Sequence, residues 1–283
     1  VLICEGGNMK KFLSYIAIAL SAILVGCAGA DVSSASAKKP RKIALHGYVY
    51  SDISLADTVK KAAEMKVDGV VMTKRQFIGG KYPKVKTDEK MTPEQREYVK
   101  KMFADNNLEI AGFGVYRINT KDIDAHLKFC KDMGIPVFTE EHKPEEQKLW
   151  NDAAAKYGVK IALHHHGKKT NELWNPKTIA KAVAPYEHIG VCADNGHWAR
   201  AGVDACEGYG IIGKKLVMLH FKDVILPKGT DTYLGGGSLD VQKMLDTLDK
   251  IGFDGYFVLE YEGGDKKNLD SIMRKSIEYL RSH

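Results

Sequence analysis

From Lys42 onward, short apolar runs alternate with segments that have helical spacing. The eight runs are KIALHGYVY, VDGVVMTK, LEIAGFGVYRI, IPVFTEE, VKIALHHH, IGVCADNGH, LVMLHFKD and GYFVLEYE. Most of these runs are apolar on both faces instead of alternating, which is typical of parallel strands covered by helices. Segments such as LADTVKKAAEMK place apolar residues three and four positions apart, as amphipathic helices do. Eight such βα units in residues 42–283 predict an α/β protein, a (β/α)8 TIM barrel.

Helix start and stop signals support this interpretation. Thr92-Pro93 is typical of a helix start, and Gly134, Gly158 and Gly252 are typical of helix ends. An open, doubly wound sheet is the alternative fold. It usually has a glycine-rich phosphate turn after its first strand, and the stretch HGYVYSD has none. The barrel is therefore favoured.

The first residues have a different pattern, which predicts export. MKKFLSYIAIALSAILVGC has a charged start, an apolar stretch and small residues before a cysteine, and it resembles a bacterial lipoprotein signal. We expect residues 1–27 to comprise upstream sequence and this signal, Cys27 to be lipidated, and residues 28–41 to be a flexible tether. The alternative is an uncleaved membrane anchor. Ala28 resembles an outer-membrane sorting signal, so the expected location is the outer membrane, facing the periplasm.

The net charge of +6 lies mostly outside the predicted barrel. The charged residues within positions 1–42 are Lys10, Lys11, Lys38, Lys39, Arg41 and Lys42 against Glu5 and Asp31. These give +4, which leaves about +2 for the rest of the chain. This is too little for the basic surface of a nucleic-acid-binding protein, so no nucleic-acid partner is expected.

Ionisable residues collect where the predicted strands end, which is where barrels of this kind hold their active sites. They are His46, Glu140, Glu141, His164, His166, Asp194, His197, His220, Lys222, Glu260 and Glu262. Buried carboxylates are costly without compensation, and a divalent cation is the usual compensation. Mixed imidazole and carboxylate ligands suit Mn²⁺, Co²⁺, Zn²⁺ or Fe²⁺. The alternative is a metal-free polar plug that is salt-bridged by Lys222.

The three consecutive histidines of IALHHHG divide between two faces. Residues two apart on a strand point the same way. His164 and His166 are therefore expected to face the barrel mouth, whereas His165 is expected to pack between barrel and helix. The same spacing pairs His220 with Lys222, and Glu260 with Glu262.

The motifs CADNGHW, LHFKD and FVLEYE resemble those of the xylose isomerase-like sugar phosphate isomerase/epimerase superfamily, and the resemblance extends over the whole predicted barrel. It implies that Asp194, His220 and Glu260 bind a divalent metal ion and that His197 contacts substrate. Epimerases of this superfamily have a glutamate ligand at the end of the fifth strand. His164 stands there in this chain and is the expected fourth ligand, with His166 as its substitute.

The resemblance implies a metal-dependent isomerase or epimerase that acts on a sugar through an enediolate. The expected catalytic residues are Glu260, His166 and Lys222, and the expected substrate-binding residues are His46, Glu140, His197 and Lys222. Glu140 has a second interpretation, as a solvated loop residue. Because histidine replaces the glutamate, a lyase or dehydratase acting on an inosose or 3-keto-glycoside is the main alternative.

Export favours a non-phosphorylated sugar or keto-sugar as the small-molecule partner. A non-catalytic sugar-binding lipoprotein and an abasic-site endonuclease are further alternatives. The glycine-rich stretch YLGGGSLD precedes a predicted helix and has three interpretations: an anion site, a flap over the barrel mouth, or a plain loop. The sequence does not specify the sugar, the metal or the oligomeric state.

Overall fold

The computed structural model describes residues 40–170, 172–263 and 266–283. The predicted signal, tether and lipidation site at Cys27 lie outside these residues and stay predictions. No helix in the described part is both long and apolar enough to cross a membrane. Residues from Pro40 onward form one compact unit.

Eight parallel strands close into a barrel, which confirms the predicted fold. The strands are β1 Lys42–His46, β2 Gly69–Met72, β5 Glu109–Tyr116, β6 Val137–Glu140, β7 Lys160–His164, β8 Ile189–Asp194, β9 Leu216–Phe221 and β12 Tyr256–Leu259. Their order around the barrel is β1-β12-β9-β8-β7-β6-β5-β2. Each of the eight apolar runs in the sequence therefore contributes one barrel strand.

Nine α-helices are described outside the barrel. They are α1 Leu55–Glu64, α2 Pro93–Asp105, α3 Ile123–Met133, α4 Gln147–Tyr157, α5 Pro176–Val183, α6 Asn195–Arg200, α7 Ala205–Ile212, α8 Val241–Ile251 and α9 Leu269–Ser282. Thr92 caps α2 through a reciprocal bond pair with Gln95. Gly134, Gly158 and Gly252 end α3, α4 and α8 in the left-handed conformation. The predicted start and stop signals are confirmed at all four positions.

Two hairpins interrupt the βα alternation. The first consists of β3 Phe77–Gly79 and β4 Tyr82–Lys86, and the second of β10 Asp223–Ile225 and β11 Thr230–Thr232. Both follow the carboxyl end of a barrel strand. They therefore extend the face of the barrel that carries the candidate active site.

The strands separate two apolar layers. The inner layer fills the barrel and consists of Ala44, Val71, Ala111, Ala162, Cys192, Met218, Tyr256 and Val258. A larger outer layer packs the barrel against its helices, with Phe138, Leu163 and Trp198 among its members. Neighbours on a strand belong to different layers. The parity of a residue at a strand end thus decides whether its side chain reaches the barrel mouth or the helix layer.

Candidate active site

Five ionisable side chains stand two positions after a residue of the inner layer. The pairs are Ala44 with His46, Ala162 with His164, Cys192 with Asp194, Met218 with His220, and Val258 with Glu260. The two-residue step keeps each side chain on the inner face. All five are at most 7% exposed. The barrel interior therefore ends in a floor of imidazole and carboxylate groups.

The four expected metal ligands come together on this floor. His220 Nδ1 lies 3.1 Å from Glu260 Oε2 and 3.9 Å from Asp194 Oδ2. His164 Nε2 lies 3.7 Å from the same Asp194 oxygen. Ligand atoms of His164, Asp194 and His220 lie within 4.8 Å of one another, and so do those of His46, His220 and Glu260. The two groups share His220, so this histidine joins the four residues into one site.

Hydrogen bonds fix which nitrogen of His164 is free to bind a metal. His164 Nδ1 lies 3.0 Å from Glu141 Oε1, and a carboxylate only accepts, so Nδ1 carries the proton. Nε2 then presents its lone pair, and no hydrogen-bond partner for it is found among the described residues. A carboxylate behind a ligating histidine is the arrangement by which proteins orient such ligands. His164 therefore fits a metal site.

His46 is oriented in the opposite way. Its Nδ1 accepts a hydrogen bond of 3.0 Å from the main-chain N–H of Tyr48, which leaves the proton on Nε2. Burial lowers the pKa of His46 to about 3, so the ring is neutral at neutral pH. The ring meets His220 edge to face, with centroids 4.9 Å apart. His46 thus presents a donor to the barrel mouth and suits substrate contact better than metal ligation.

A buried lysine lies between the carboxylates. Lys222 Nζ is 2.9 Å from Asp194 Oδ2, 2.8 Å from Glu260 Oε2 and 3.3 Å from Glu262 Oε2. Burial alone would lower the pKa of Lys222, but the charges of Asp194 and Glu260 outweigh burial and hold this pKa well above its usual value. Gly196 makes room for the lysine, because a Cβ there would lie 2.5 Å from Lys222 Cδ. The salt-bridged plug expected as an alternative to a metal is thus present in this structure.

The lysine does not neutralise the site. Asp231 accepts a 2.6 Å hydrogen bond from the Glu262 main-chain N–H and pairs with Arg200. The connected network holds the carboxylates of Asp194, Asp231, Glu260 and Glu262 and the cations of Lys222 and Arg200. Four carboxylates against two cations leave a net charge of −2, and a charged His164 is offset by its partner Glu141. A divalent cation would balance this charge, so the donor set and its charge both fit the metal ion that was expected.

The field at His164 also favours a cation. Burial lowers the pKa of His164, but the nearby carboxylate of Asp194 and the hydrogen bond to Glu141 outweigh burial and raise this pKa to about 9. Burial would raise the pKa of Asp194, but the charge of Lys222 and the contact with His164 outweigh burial and hold this pKa well below its usual value. The carboxylates that stabilise a proton on His164 Nε2 would also stabilise a metal ion bound at that atom.

A chain of three side chains forms one wall of the mouth. Glu141 Oε1 lies 2.6 Å from His166 Nε2, and His166 Nδ1 lies 3.0 Å from His197 Nε2. His166 must donate to the carboxylate from Nε2, so its Nδ1 accepts from His197. Burial lowers the pKa of His197 to about 4. The wall can therefore hold and relay a proton between two imidazoles, with a carboxylate that stabilises the charged form.

The mouth encloses a cavity of about 230 Å³. Its lining includes His46, Tyr48, Arg75, Tyr116, Arg117, Glu141, His164, His166, Glu260 and Glu262. The cavity is smaller than pockets for drug-sized ligands, which measure about 300–1,000 Å³, and its size suits one sugar unit. Asp194, His220 and Lys222 lie beneath it and do not line it. His197 reaches the cavity only through His166.

The structure does not bring Glu140 to the cavity. Its side chain is fully buried, so it is not the solvated loop residue of the second interpretation. Glu140 Oε2 bonds His142 Nδ1 at 2.7 Å, and His142 stacks on Trp150 in the outer layer. The residue that faces the mouth is Glu141, two positions after Thr139, which contacts Met218 of the inner layer. The two-residue spacing used for the other strands, counted from Thr139, selects Glu141. The prediction of Glu140 did not apply this spacing.

The central histidine of HHH packs behind the barrel, as its spacing predicts. The His165 ring stacks on Trp198 of α6, with centroids 4.7 Å apart. Its Nε2 accepts a 3.1 Å hydrogen bond from the Asp194 main-chain N–H. Burial lowers the pKa of His165 to about 3, which keeps the ring neutral. His165 therefore supports the strand that carries Asp194 and does not face the mouth.

The glycine-rich loop binds an anion that belongs to the chain itself. The buried carboxylate of Asp223 accepts hydrogen bonds of 2.9–3.1 Å from the main-chain N–H groups of Gly235, Gly237 and Leu239. A Cβ at Gly237 would lie 2.3 Å from Asp223 Oδ1, so only glycine fits this close approach. These donors are satisfied internally. The loop is therefore not a ready phosphate site.

Residues 59–283 match the family of xylose isomerase-like TIM barrels. The chain belongs to this family. It is 26% identical over 285 residues to an inosose dehydratase of Mesomycoplasma hyopneumoniae (strain J), which covers 82% of this chain and 89% of that protein. The prediction that the chain is an enzyme is confirmed by relatives of this kind.

Solved structures confirm the fold of this family member. A protein from Parabacteroides distasonis has a TM-score of 0.72 and 22% identity, over 86% of this chain and 98% of that one. The 3-keto-D-glucoside 4-epimerase of E. coli has a TM-score of 0.66 and 16% identity, over 86% of this chain and the whole of that one. The two names, dehydratase and epimerase, correspond to the two reaction classes expected from the sequence.

Proposed function

We propose that the protein is a metal-dependent lyase that removes the proton next to the carbonyl of a non-phosphorylated keto-sugar or keto-cyclitol and eliminates a β-substituent. The observation that carries this proposal is the wall formed by Glu141, His166 and His197 beside His164. His164 stands where the resemblance places a glutamate in epimerases of the superfamily, and the wall adds further imidazoles beside it. The likeness to an inosose dehydratase supports the same reaction class.

We propose that His164, Asp194, His220 and Glu260 hold the metal ion. When bound, a divalent metal ion acts as a Lewis acid towards a carbonyl oxygen and favours proton loss at the neighbouring carbon. Lys222 keeps Asp194 and Glu260 ionised, and so ready to act as ligands. His46, with its Nε2 proton facing the cavity, donates a hydrogen bond to a substrate hydroxyl or carbonyl.

His166 is the proposed acid/base residue. Its side chain is 38% exposed, lines the cavity, and shares a proton with His197 between Nδ1 and Nε2. The substrate proton adds to His166 Nδ1 in place of the hydrogen bond from His197, and Glu141 stabilises the resulting imidazolium through its bond to Nε2. The same imidazolium then protonates the departing hydroxyl or alkoxyl group, and the carbon–oxygen bond breaks as the carbon–carbon double bond forms. One wall serves both steps, which suits an elimination on one face of the sugar.

A sugar isomerase or epimerase is the second candidate, because carboxylates also line the cavity. Glu260 and Glu262 line the same cavity as Glu141 and His166. If these groups lie on opposite faces of the bound sugar, a proton can leave to one residue and return from another. Lys222 in this reaction would hold Glu260 in place, and Glu260 would be the base. The two candidates share the first step and differ in the fate of the resulting enediolate.

Product analysis in D₂O tests the proposal. The Mn²⁺-loaded protein is given inososes, ketoses and 3-keto-glycosides, and products are followed by mass spectrometry. Loss of water or of an aglycone is expected. Incorporation of deuterium at carbon without such loss would establish the isomerase instead. A third outcome, in which sugar binds without turnover and Glu260→Gln leaves the affinity unchanged, would establish a non-catalytic binding protein.

A further inference from the structure

Two arginines line the cavity without a carboxylate partner. Arg75 follows β2, and Arg117 follows β5, so both stand on the side of the mouth opposite β8 and β9. Arg200 and Lys222, two other cations near the mouth, each form ion pairs with carboxylates. A further cation, Lys74, lies over the ring of Tyr116 and does not itself line the cavity. Among the residues that the structure describes, neither Arg75 nor Arg117 forms such a pair. Their charges are therefore available to a ligand.

Both guanidinium groups are nevertheless held at the cavity. Arg75 lies over the ring of Tyr48, with its Cζ 5.0 Å from the centroid, and Tyr48 itself lines the cavity. Arg117 donates from Nε to the main-chain oxygen of Glu141 at 2.9 Å. This bond leaves both terminal nitrogens of Arg117 free. Contacts with a ring and a main-chain carbonyl orient the arginines without neutralising them.

We propose that Arg75 and Arg117 bind an anionic substituent of the substrate, so that the preferred substrate is an acidic keto-sugar. This inference rests on the proposed function and narrows its substrate class. The planar guanidinium fork matches a carboxylate in two parallel hydrogen bonds. Glu141 and Glu262 line the same cavity and disfavour a doubly charged phosphate. The carboxylate of a uronate-type sugar is therefore the assigned ligand.

Three matched ketoses test this assignment by isothermal titration of the Mn²⁺-loaded protein. D-Fructose, D-fructuronate and D-fructose 6-phosphate share one skeleton and differ at carbon 6, as hydroxyl, carboxylate and phosphate. We expect fructuronate to bind about tenfold tighter than fructose, as one or two charge-assisted hydrogen bonds supply. In the double variant Arg75→Gln/Arg117→Gln the ratio of the fructose Kd to the fructuronate Kd should fall to about one.

Lys84→Gln is the control for long-range charge. Lys84 is exposed on β4 and does not line the cavity, so this variant should retain the full preference for fructuronate. A fructuronate preference that survives in the double variant would overturn the inference, because the carboxylate would then bind elsewhere, for example at the metal.

The remaining outcomes separate the inference from the proposed function. Equal affinity of the wild type for fructose and fructuronate overturns the arginine assignment and leaves a sugar site standing. Tighter binding of the phosphate than of fructuronate, lost in the double variant, overturns the carboxylate in favour of phosphate. Failure of all three ketoses to bind overturns the inference, whereas the proposed reaction is decided separately by the product analysis with inososes and 3-keto-glycosides in D₂O.

Discussion

The two faces of the barrel wall carry similar side chains in different settings at the ends of β6 and β7. On the outer face, Glu140 bonds His142 within the helix layer, and His165 stacks on a tryptophan. On the inner face, Glu141 bonds both His164 and His166 at the mouth of a cavity. Each face thus has a glutamate bonded to an imidazole, yet only the inner pair reaches a space that a ligand can enter.

This difference shows how far one position along a strand decides the role of a residue. Glu140 and Glu141 are adjacent and chemically identical, as are His164 and His165. The outer residues have aromatic neighbours, and burial raises the pKa of Glu140. The inner residues face other ionisable groups, and hydrogen bonds to His164 and His166 outweigh burial to lower the pKa of Glu141. The odd or even position of a residue along its strand therefore predicts its role here better than its amino-acid type does.

Glu260→Gln, on the inner face, should have the largest effect. The change removes the charge of one proposed ligand, and we expect turnover to fall by about 10²–10⁴-fold. Mn²⁺ affinity should fall at least about 100-fold, since a lost ligand weakens binding no less than a lost supporting hydrogen bond. Turnover assays and calorimetric Mn²⁺ titration measure the two effects. Glu207→Gln, an exposed carboxylate on α7, is the control and should change neither quantity.

Glu141→Gln and Glu140→Gln compare the two faces directly. The inner change removes the charge that supports His166 and orients His164, and turnover should fall by about 10–100-fold. The outer change should leave turnover within about twofold. Equal losses in both variants would contradict the assignment of Glu141 to the cavity, and a larger loss in Glu140→Gln would restore the role first expected for Glu140.

His164→Gln and His165→Gln should separate metal binding from stability. Mn²⁺ should raise the Tm of the wild type, because a ligand that binds only the folded state stabilises it. His164→Gln should abolish most of this rise. His165→Gln should keep the rise but start from a Tm lower by about 2–10 °C, since a buried hydrogen bond and a ring stack are lost. Thermal melts with and without Mn²⁺ provide the comparison, and a metal-induced rise that is intact in His164→Gln would exclude His164 as a ligand.

The smallest effect is expected for the pH dependence of Glu140. Burial raises the pKa of Glu140 above its usual value of 4.5, so the folded state favours the protonated carboxyl. The stability that protonation supplies is complete below pH 4.5 and is lost as pH rises through the folded-state pKa. Glu140→Gln is neutral throughout.

Its Tm, measured relative to wild type, should therefore rise from pH 4 to pH 7. A wild type that gains stability relative to Glu140→Gln over this range would show that the bond to His142 outweighs burial.

The sequence predicted the barrel and most of the mouth because both depend on local patterns. Apolar runs located all eight barrel strands, and the two-residue step placed His164, His166 and Lys222 on the inner face. Parity would also have identified Glu141, had it been counted from Thr139. This rule needs only the position of a residue along its strand, and that position can be read from a single sequence.

The remaining features depend on contacts between distant parts of the chain. The strands of the hairpins β3–β4 and β10–β11 are short, and their sequences have no pattern strong enough to predict them. The pairing of Arg200 with Asp231 joins residues 31 positions apart. Nothing in the sequence near Arg75 or Arg117 indicates that both would line one cavity. These features arise from closure of the barrel, which local spacing does not encode.

The carboxylate of Asp223 supplies the negative charge around which the glycine-rich loop is arranged. The loop already has its main-chain donors aligned around a negative charge, as a phosphate receptor does, but the charge is built into the protein. Loss of that single side chain would leave the buried N–H groups of Gly235, Gly237 and Leu239 without their acceptor. The aspartate is thus the internal counter-charge on which the shape of the loop depends.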